Sequence, residues 1–307
     1  MSNAIFFVHG GPGLNSYAEK GVLGPLFESA GVKTYFWNEP SLLRQDGDGF
    51  KEDGAYLNWV ESLQKHLIQF YQERSQPIHL FAHSFAATAC LSLVQKLAQK
   101  HPQLFASLTF IAPAFNLEET YKNILRLAVL DFKETNPYKA DKLSVLLEEG
   151  CTFFDSAMEE GFEMAFTDEL LLSHYWCDLS QLQKAVSFLT KPEAQIDLKS
   201  FFAVLRDFSN STEGLAVRKK VAIPTLFVFG EKDPVVLESQ TTEFIKNTFL
   251  NYKAMSCPNA SHYVHLDNIQ LFLENILPKD LPLNKSSGYS VELVSSQSSD
   301  PAEMPTS

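Results

Sequence analysis

Ser84 lies where an apolar segment, residues 78–82, gives way to a helical pattern that begins at the serine itself. Ala82 and Ala86 stand two positions before and two positions after it. The sharp turn of a nucleophilic serine requires such small residues, because larger side chains would meet the neighbouring strand or helix. The same sequence is also compatible with a serine that only caps a helix. Chemistry at Ser84 therefore depends on whether the chain also supplies a base and an acid.

A serine hydroxyl is a poor nucleophile until a histidine accepts its proton, and a carboxylate must orient that histidine. Asp233 follows an apolar run of strand length, and His262 follows the next such run. The order of serine, acid and histidine predicts a catalytic triad of Ser84, Asp233 and His262. Asp233 could instead only shape its Lys-Asp-Pro turn. His265 is the alternative base, but His262 is preferred because it follows small residues in a loop, whereas His265 lies where a helix is about to begin.

Attack on a carbonyl group also needs N–H donors for the oxyanion that forms. A His-Gly-Gly-Pro-Gly turn at residues 9–13 follows the first apolar segment and can bring a main-chain N–H close to a substrate. We expect Gly11 and Phe85 to donate these two hydrogen bonds. The glycines could alternatively serve only the conformation of a tight turn. The other histidines lack the His-x-x-Glu-His spacing of a zinc site, so the sequence predicts neither a metal nor a cofactor.

Alternating strands and helices are expected to position these residues. Apolar segments of strand length recur between helical patterns, which is typical of a mostly parallel sheet with helices on both faces. The predicted strands are residues 4–8, 33–37, 78–82, 108–111, 225–229 and 251–256. The predicted helices are residues 16–30, 56–73, 84–100 and 268–277, and a loop rich in Gly and Asp is expected at residues 45–54.

Residues 114–218 carry a helical pattern without a convincing strand. This pattern predicts a helical cap inserted into an α/β core that is formed by residues 1–113 and 219–283. Residues 284–307 are rich in Ser, Pro, Gln and acidic side chains. They contain too little apolar surface to offset the entropy of ordering, so we expect a disordered tail.

Composition excludes several classes of protein. Among 307 residues, 37 are Asp or Glu and 25 are Lys or Arg, which gives a net charge of -12 and disfavours a nucleic-acid partner. No apolar run approaches the roughly 18 residues of a membrane span, and the first residues do not form a signal peptide. We therefore expect a cytoplasmic protein. Cys90, Cys151, Cys177 and Cys257 lack Cys-x-x-Cys spacing and are expected to be buried free thiols. Nothing in the sequence indicates the oligomeric state.

These motifs resemble those of the α/β-hydrolase superfamily, over roughly residues 4–113 and 222–278. The turn at residues 9–13 is similar to the oxyanion segment of the proline iminopeptidase family, whose members carry a helical cap and remove an N-terminal residue from peptides. In that family acidic cap residues hold the free amino group, and the acidic run at residues 155–169 here includes Glu169. Tyr175 and Trp176 lie in a segment similar to that family's cap. Together with His83, beside the serine, these are the candidate substrate-binding residues.

Three departures concern the aminopeptidase branch. Residues 37–41, Trp-Asn-Glu-Pro-Ser, stand where the family usually has Asp-x-Arg-Gly-x-Gly, Leu172 replaces an expected glutamate, and alanines replace both glycines around Ser84. The sequence thus favours a serine hydrolase that cleaves a carboxylic ester, thioester or amide through an acyl-enzyme. Its substrate would be a small molecule or a short peptide. An aminopeptidase and a non-catalytic ligand sensor of the same fold are the alternatives.

Overall fold

The computed structural model describes residues 4–44, 48–150, 154–211, 220–276 and 294–295. Six parallel strands form the sheet in the order β2-β1-β3-β4-β5-β6, and a two-residue strand, β7, pairs antiparallel with β6. The strands are β1 Ala4–Val8, β2 Lys33–Trp37, β3 Ile78–His83, β4 Phe105–Ile111, β5 Thr225–Gly230, β6 Tyr252–Cys257 and β7 Val294–Ser295. All six predicted strands are thus present.

Helices connect the strands and cover both faces of the sheet. In the part that carries the sheet they are α1 Tyr17–Ser29, α2 Ala55–Arg74, α3 Phe85–Ala89 and α4 Leu91–Lys100. Between β4 and β5 follow α5 Leu117–Thr135, α6 Pro137–Glu149, α7 Ser156–Ala165, α8 Leu179–Ser187 and α9 Leu198–Asn210, with 3₁₀ helices at Leu171–Tyr175 and Pro192–Ala194. The last three are α10 Glu238–Thr248, α11 Val264–Asp267 and α12 Ile269–Ile276.

Strand β1 shows why both faces are covered. All five of its residues are buried, and successive side chains of a strand point to opposite faces. Phe6 packs in the cluster that includes α2 and α4, whereas Phe7 packs in the cluster that includes α1 and α12. A strand buried on both sides reads as a continuous apolar run, which is why the sequence predicted it.

The segment between β4 and β5 is helical throughout its described part. Each of its five α-helices begins after an Asn or Asp side chain that accepts a backbone N–H of the first turn. Such caps are worth about 1 kcal/mol each and set where a helix starts. The capping residues are Asn116, Asn136, Asp155, Asp178 and Asp197. We call residues 114–211 the helical insertion.

Some sequence expectations need adjustment. The helix predicted over residues 84–100 is two helices separated at Cys90, and α10 was not predicted. Part of the expected loop, residues 45–47, and the tail apart from residues 294–295 lie outside the described residues, as does Cys151. No described helix combines the length and apolar character needed to cross a bilayer.

Candidate active site

Ser84 occupies the turn between β3 and α3. Its backbone has φ 53° and ψ −123°, a strained conformation for a residue other than glycine that costs about 1 to 3 kcal/mol. Two contacts hold it there: the Ser84 N–H donates to the Ile111 carbonyl at 2.9 Å, and the Ala114 N–H donates to the Ser84 carbonyl at 3.3 Å. The turn therefore presents the serine side chain beyond the carboxyl end of β3.

His262 lies between Ser84 and Asp233. Its Nε2 is 2.9 Å from Ser84 Oγ, and its Nδ1 is 2.9 Å from Asp233 Oδ2. The second oxygen of Asp233 accepts the N–H groups of Val235 and Val236 at 2.8 and 3.0 Å. All three side chains are buried. A histidine held in this way can take a proton from the serine and keep its other nitrogen on the carboxylate.

His265, the alternative base, is not in reach of Ser84. It is fully buried, and neither of its ring nitrogens has a hydrogen-bond partner among the described residues. Its nearest charged neighbour is Glu19, with 3.6 Å between His265 Nε2 and Glu19 Oε1. The geometry thus brings together the three residues of the predicted triad and leaves His265 apart from them.

The turn after β1 lies beside the serine. Gly10 has no room for a side chain, because a Cβ there would lie 2.5 Å from His83 Nδ1, and Gly11 has φ +71°. Gly11, Ser84 and Phe85 line the same cavity. Phe85 is the first residue of α3, so the helix offers no acceptor for its N–H. Both expected oxyanion donors therefore border the space in front of Ser84.

Glu39 supports the turn at residues 9–13 through a hydrogen bond. In the sequence it stood out only as part of a departure from the family pattern. Its carboxylate accepts the Gly13 N–H and, at 2.7 Å, the Trp59 Nε1–H. Burial raises the pKa of Glu39 from 4.5 to about 7, although the Arg44 guanidinium 3.9 Å away favours the ionised form. Burial also lowers the pKa of His9 to about 3. An acidic residue two positions after a strand was the one sequence signal for this role.

No protein-family model and no curated protein matches this chain. Several solved structures match it. A proline iminopeptidase-related protein from Thermus thermophilus aligns with a TM-score of 0.59 at 18% identity, over 89% of this chain and 86% of that one. An esterase from Exiguobacterium antarcticum aligns with a TM-score of 0.56 at 14% identity, over 89% and 90% of the two chains. The proline iminopeptidase of Mycobacterium smegmatis aligns with a TM-score of 0.55 at 14% identity, over 89% of this chain and 87% of that one.

The protein has the α/β-hydrolase fold. Its strand order places β1 and β3 side by side, with the chain continuing outward from them in opposite directions. Ligands of open α/β sheets bind at such a switch point, beyond the carboxyl ends of the strands. The turn at residues 9–13 follows β1 and Ser84 follows β3, so the α/β-hydrolase fold brings them together there.

A cavity of about 150 Å³ lies between this end of the sheet and the helical insertion. Its walls are mainly apolar, and several of the side chains come from the insertion: Tyr121, Ile124, Phe162, Phe166, Leu182, Val186, Leu189 and Phe201. His83, Tyr175 and Trp176, three candidate substrate-binding residues, also line it. Glu169, the fourth, is exposed and does not line it, and none of the other acidic side chains of the run at residues 155–169 lines it.

The loop that carries His262 is tied to the helical insertion. Ser261 Oγ donates to the His174 carbonyl at 2.9 Å, and the Tyr263 N–H donates to the Tyr175 carbonyl at 3.2 Å. Asp267 Oδ2 accepts the N–H of Ser261 at 2.8 Å and the N–H of Cys177 at 2.9 Å. The sequence showed none of these contacts, which join segments that are distant along the chain.

Proposed function

We propose that the protein is a serine hydrolase in which Ser84 is the nucleophile, His262 the general base and acid, and Asp233 the residue that orients His262. The observation that carries the proposal is the unbroken chain of contacts from Ser84 Oγ through His262 to Asp233, with both distances at 2.9 Å. The strained backbone of Ser84 supports it, because strain of this kind persists where function requires it.

The reaction proceeds in two halves. Ser84 Oγ attacks the substrate carbonyl carbon while its proton passes to His262 Nε2, and the N–H groups of Gly11 and Phe85 stabilise the resulting oxyanion. The carbon–leaving group bond then breaks, and His262 gives its proton to the departing group. A water molecule loses a proton to His262 and attacks the acyl carbon. The bond to Ser84 Oγ then breaks as His262 returns the proton to this oxygen, which releases the acid and regenerates Ser84.

The cavity favours an ester or thioester with an apolar acyl group. Apolar side chains dominate its walls, and their contact with an apolar chain contributes about 25 cal/mol for each Å² removed from water. In this proposal the helical insertion, residues 114–211, is the cap that encloses the acyl group. An aminopeptidase would need a carboxylate for the substrate's amino group; no acidic side chain of the run at residues 155–169 lines the cavity, whereas Glu19 does. That function is the second candidate.

Labelling with a fluorophosphonate probe tests the nucleophile without knowledge of the substrate. The wild type should gain one probe per chain by intact mass, and Ser84→Ala should gain none. Ser29→Ala, at an exposed serine at the end of α1, should label like the wild type. On ester substrates Ser84→Ala should lower kcat by a factor of about 10⁴ or more.

A folded wild-type protein that does not label would contradict the proposal and favour the ligand sensor. If labelling succeeds, matched aminoacyl esters with free and acetylated amino groups separate the two enzymatic candidates. Cleavage of both supports the ester hydrolase. Cleavage of the free amine alone would identify an aminopeptidase.

A further inference from the structure

Three buried side chains that could bind a metal ion converge beside the cavity. Glu19 comes from α1, His83 from the end of β3, and His265 from α11. One ligand atom of each lies within 4.8 Å of the other two, and the residues are 2%, 1% and 0% exposed. Glu19 and His83 also line the cavity. Protein therefore surrounds the cluster on one side, and the cavity borders it on the other.

The hydrogen-bond pattern of His83 leaves a lone pair on its Nδ1. His83 Nε2 lies 3.1 Å from the His262 carbonyl oxygen, and only a protonated nitrogen can make that bond. In a neutral imidazole the other nitrogen, Nδ1, then carries a lone pair. His83 Nδ1 has no hydrogen-bond partner among the described residues.

Not all side-chain atoms of the cluster have partners: His83 Nδ1 and both ring nitrogens of His265 have none among the described residues. The Glu19 carboxylate and His83 Nδ1 are both acceptors, and His265 is the residue between them with unpartnered nitrogens. A neutral imidazole has a single N–H, so neutral His265 can donate a hydrogen bond to only one of these two acceptors. Buried polar groups in native proteins rarely lack a partner. A metal ion is an electron-pair acceptor from outside the chain that would satisfy these groups together.

We propose that Glu19, His83 and His265 bind a divalent transition-metal ion, with zinc as the favoured ion. Two imidazoles and one carboxylate are a donor set that zinc uses, with a further position left for water or ligand. The bond from His83 to the His262 carbonyl fits, because a histidine that binds a metal commonly donates its other N–H to a carbonyl or carboxylate. The site does not depend on the function proposed for Ser84.

Sequence spacing could not reveal this site. Zinc motifs are recognised when ligands lie a few residues apart on one element, whereas these three come from α1, β3 and α11. The sequence-based expectation of no metal rested on that spacing alone. Folding brings α1 and α11 into contact and places both beside the end of β3.

The test uses full-length protein freed of metal with a chelator and titrated with ZnCl₂ by calorimetry. The expected result is one zinc ion per chain and a rise of several degrees in Tm when zinc is added in excess. Co²⁺ should give the visible d–d absorption of a low-coordinate site. It should lack the near-ultraviolet charge-transfer band of a thiolate ligand, which excludes binding at Cys177.

Two variants and two controls locate the ion. Glu19→Gln and His265→Asn should each weaken zinc binding at least about 10-fold, since even residues outside the ligand set change metal affinity by about 10- to 100-fold. Glu28→Gln, exposed on α1, and His101→Asn, exposed after α4, should bind zinc like the wild type. Circular dichroism of the metal-free variants checks that they fold.

Absence of stoichiometric zinc binding to the folded wild type would overturn the proposal. So would zinc binding with wild-type affinity in both Glu19→Gln and His265→Asn, because the ion would then lie elsewhere. If a variant does not fold, the wild-type Co²⁺ spectrum decides: a thiolate band or no d–d absorption contradicts the site. A water molecule that bridges the three groups would produce none of the metal signals.

Discussion

Glu39 is the residue whose environment differs most from that of an ordinary surface carboxyl group. It is completely buried, yet it accepts hydrogen bonds from Gly13 and Trp59 and thereby joins the turn after β1 to α2. Burial disfavours its charged form, which raises its pKa to about 7. The same carboxyl therefore supports the turn at residues 9–13 and costs stability when it ionises.

The sign of its pH dependence follows from that shift. Below about pH 4.5 the carboxyl is protonated in both states, and above about pH 7 it is ionised in both. Between these values the folded state binds more protons, so the contribution of Glu39 to the free energy of unfolding falls as pH rises. A pKa raised from 4.5 to about 7 corresponds to about 3 kcal/mol.

Urea unfolding of the wild type and of Glu39→Gln at several pH values between 5 and 8 checks this prediction. The free energy of unfolding of the wild type, relative to that of the variant, should fall by up to about 3 kcal/mol across the range. His9, whose pKa is lowered, acts in the opposite direction in both proteins. Glu28→Gln on the surface of α1 is the control. Parallel curves for wild type and Glu39→Gln would contradict the raised pKa.

Sequence reasoning predicted the meeting of residues that follow strands in a set order and missed contacts that depend on burial. Ser84, Asp233 and His262 follow strands in an order that predicts their meeting, and the structure places them in contact. Glu39 and Glu19 carry no such signal, because an isolated acidic residue reads as a solvated surface group. Their roles arise only from packing against segments distant along the chain.

At the scale of elements, Asp267 joins the loop after β6 to the helical insertion. Asp267, at the end of α11, accepts backbone N–H groups from Ser261 on one side and from Cys177 and Asp178 on the other. Ser261 precedes His262 directly. A displacement of the insertion would therefore reach the imidazole through Asp267.

Asp267→Ala should lower kcat about 100-fold with little change in KM, because a misplacement of about 1 Å in a catalytic group has an effect of this size. Asp267→Asn keeps one acceptor oxygen and should lose less, about 10-fold. Ester kinetics and the rate of probe labelling measure the effect, with Asp141→Asn, exposed on α6, as control. An unchanged kcat with a raised KM would show that Asp267 serves the cavity and not the histidine loop.

Apolar periodicity explains which elements could be predicted. Strands buried on both faces, such as β1 and β3, stand out as continuous apolar runs. Helix α10 does not, because only Thr241, Ile245 and Thr248 are buried in it, and threonine favours helices weakly. The contacts of Asp267 were beyond prediction, since a cap between two loops leaves no periodic pattern.

At the scale of the whole molecule, the net charge of -12 acts on any charged substrate. No lysine or arginine is among the described residues that line the cavity, whereas Glu19 is. A negative field of this kind slows the approach of anions, and salt weakens it, since the Debye length falls to about 8 Å at physiological ionic strength. Neutral substrates are unaffected.

The effect of this field can be measured with two esters of equal acyl length. The acyl chain of one ends in a methyl group, and that of the other ends in a carboxylate. The kcat/KM of the anionic ester should be the lower one at about 10 mM salt and should rise several-fold by about 300 mM, while that of the neutral ester stays constant. The cavity and the net charge then select neutral apolar acyl groups together. A kcat/KM for the anionic ester that falls with salt would contradict this, because it would show a locally positive entrance. It would direct the search toward thioesters on phosphorylated carriers, whose negative charge such an entrance attracts.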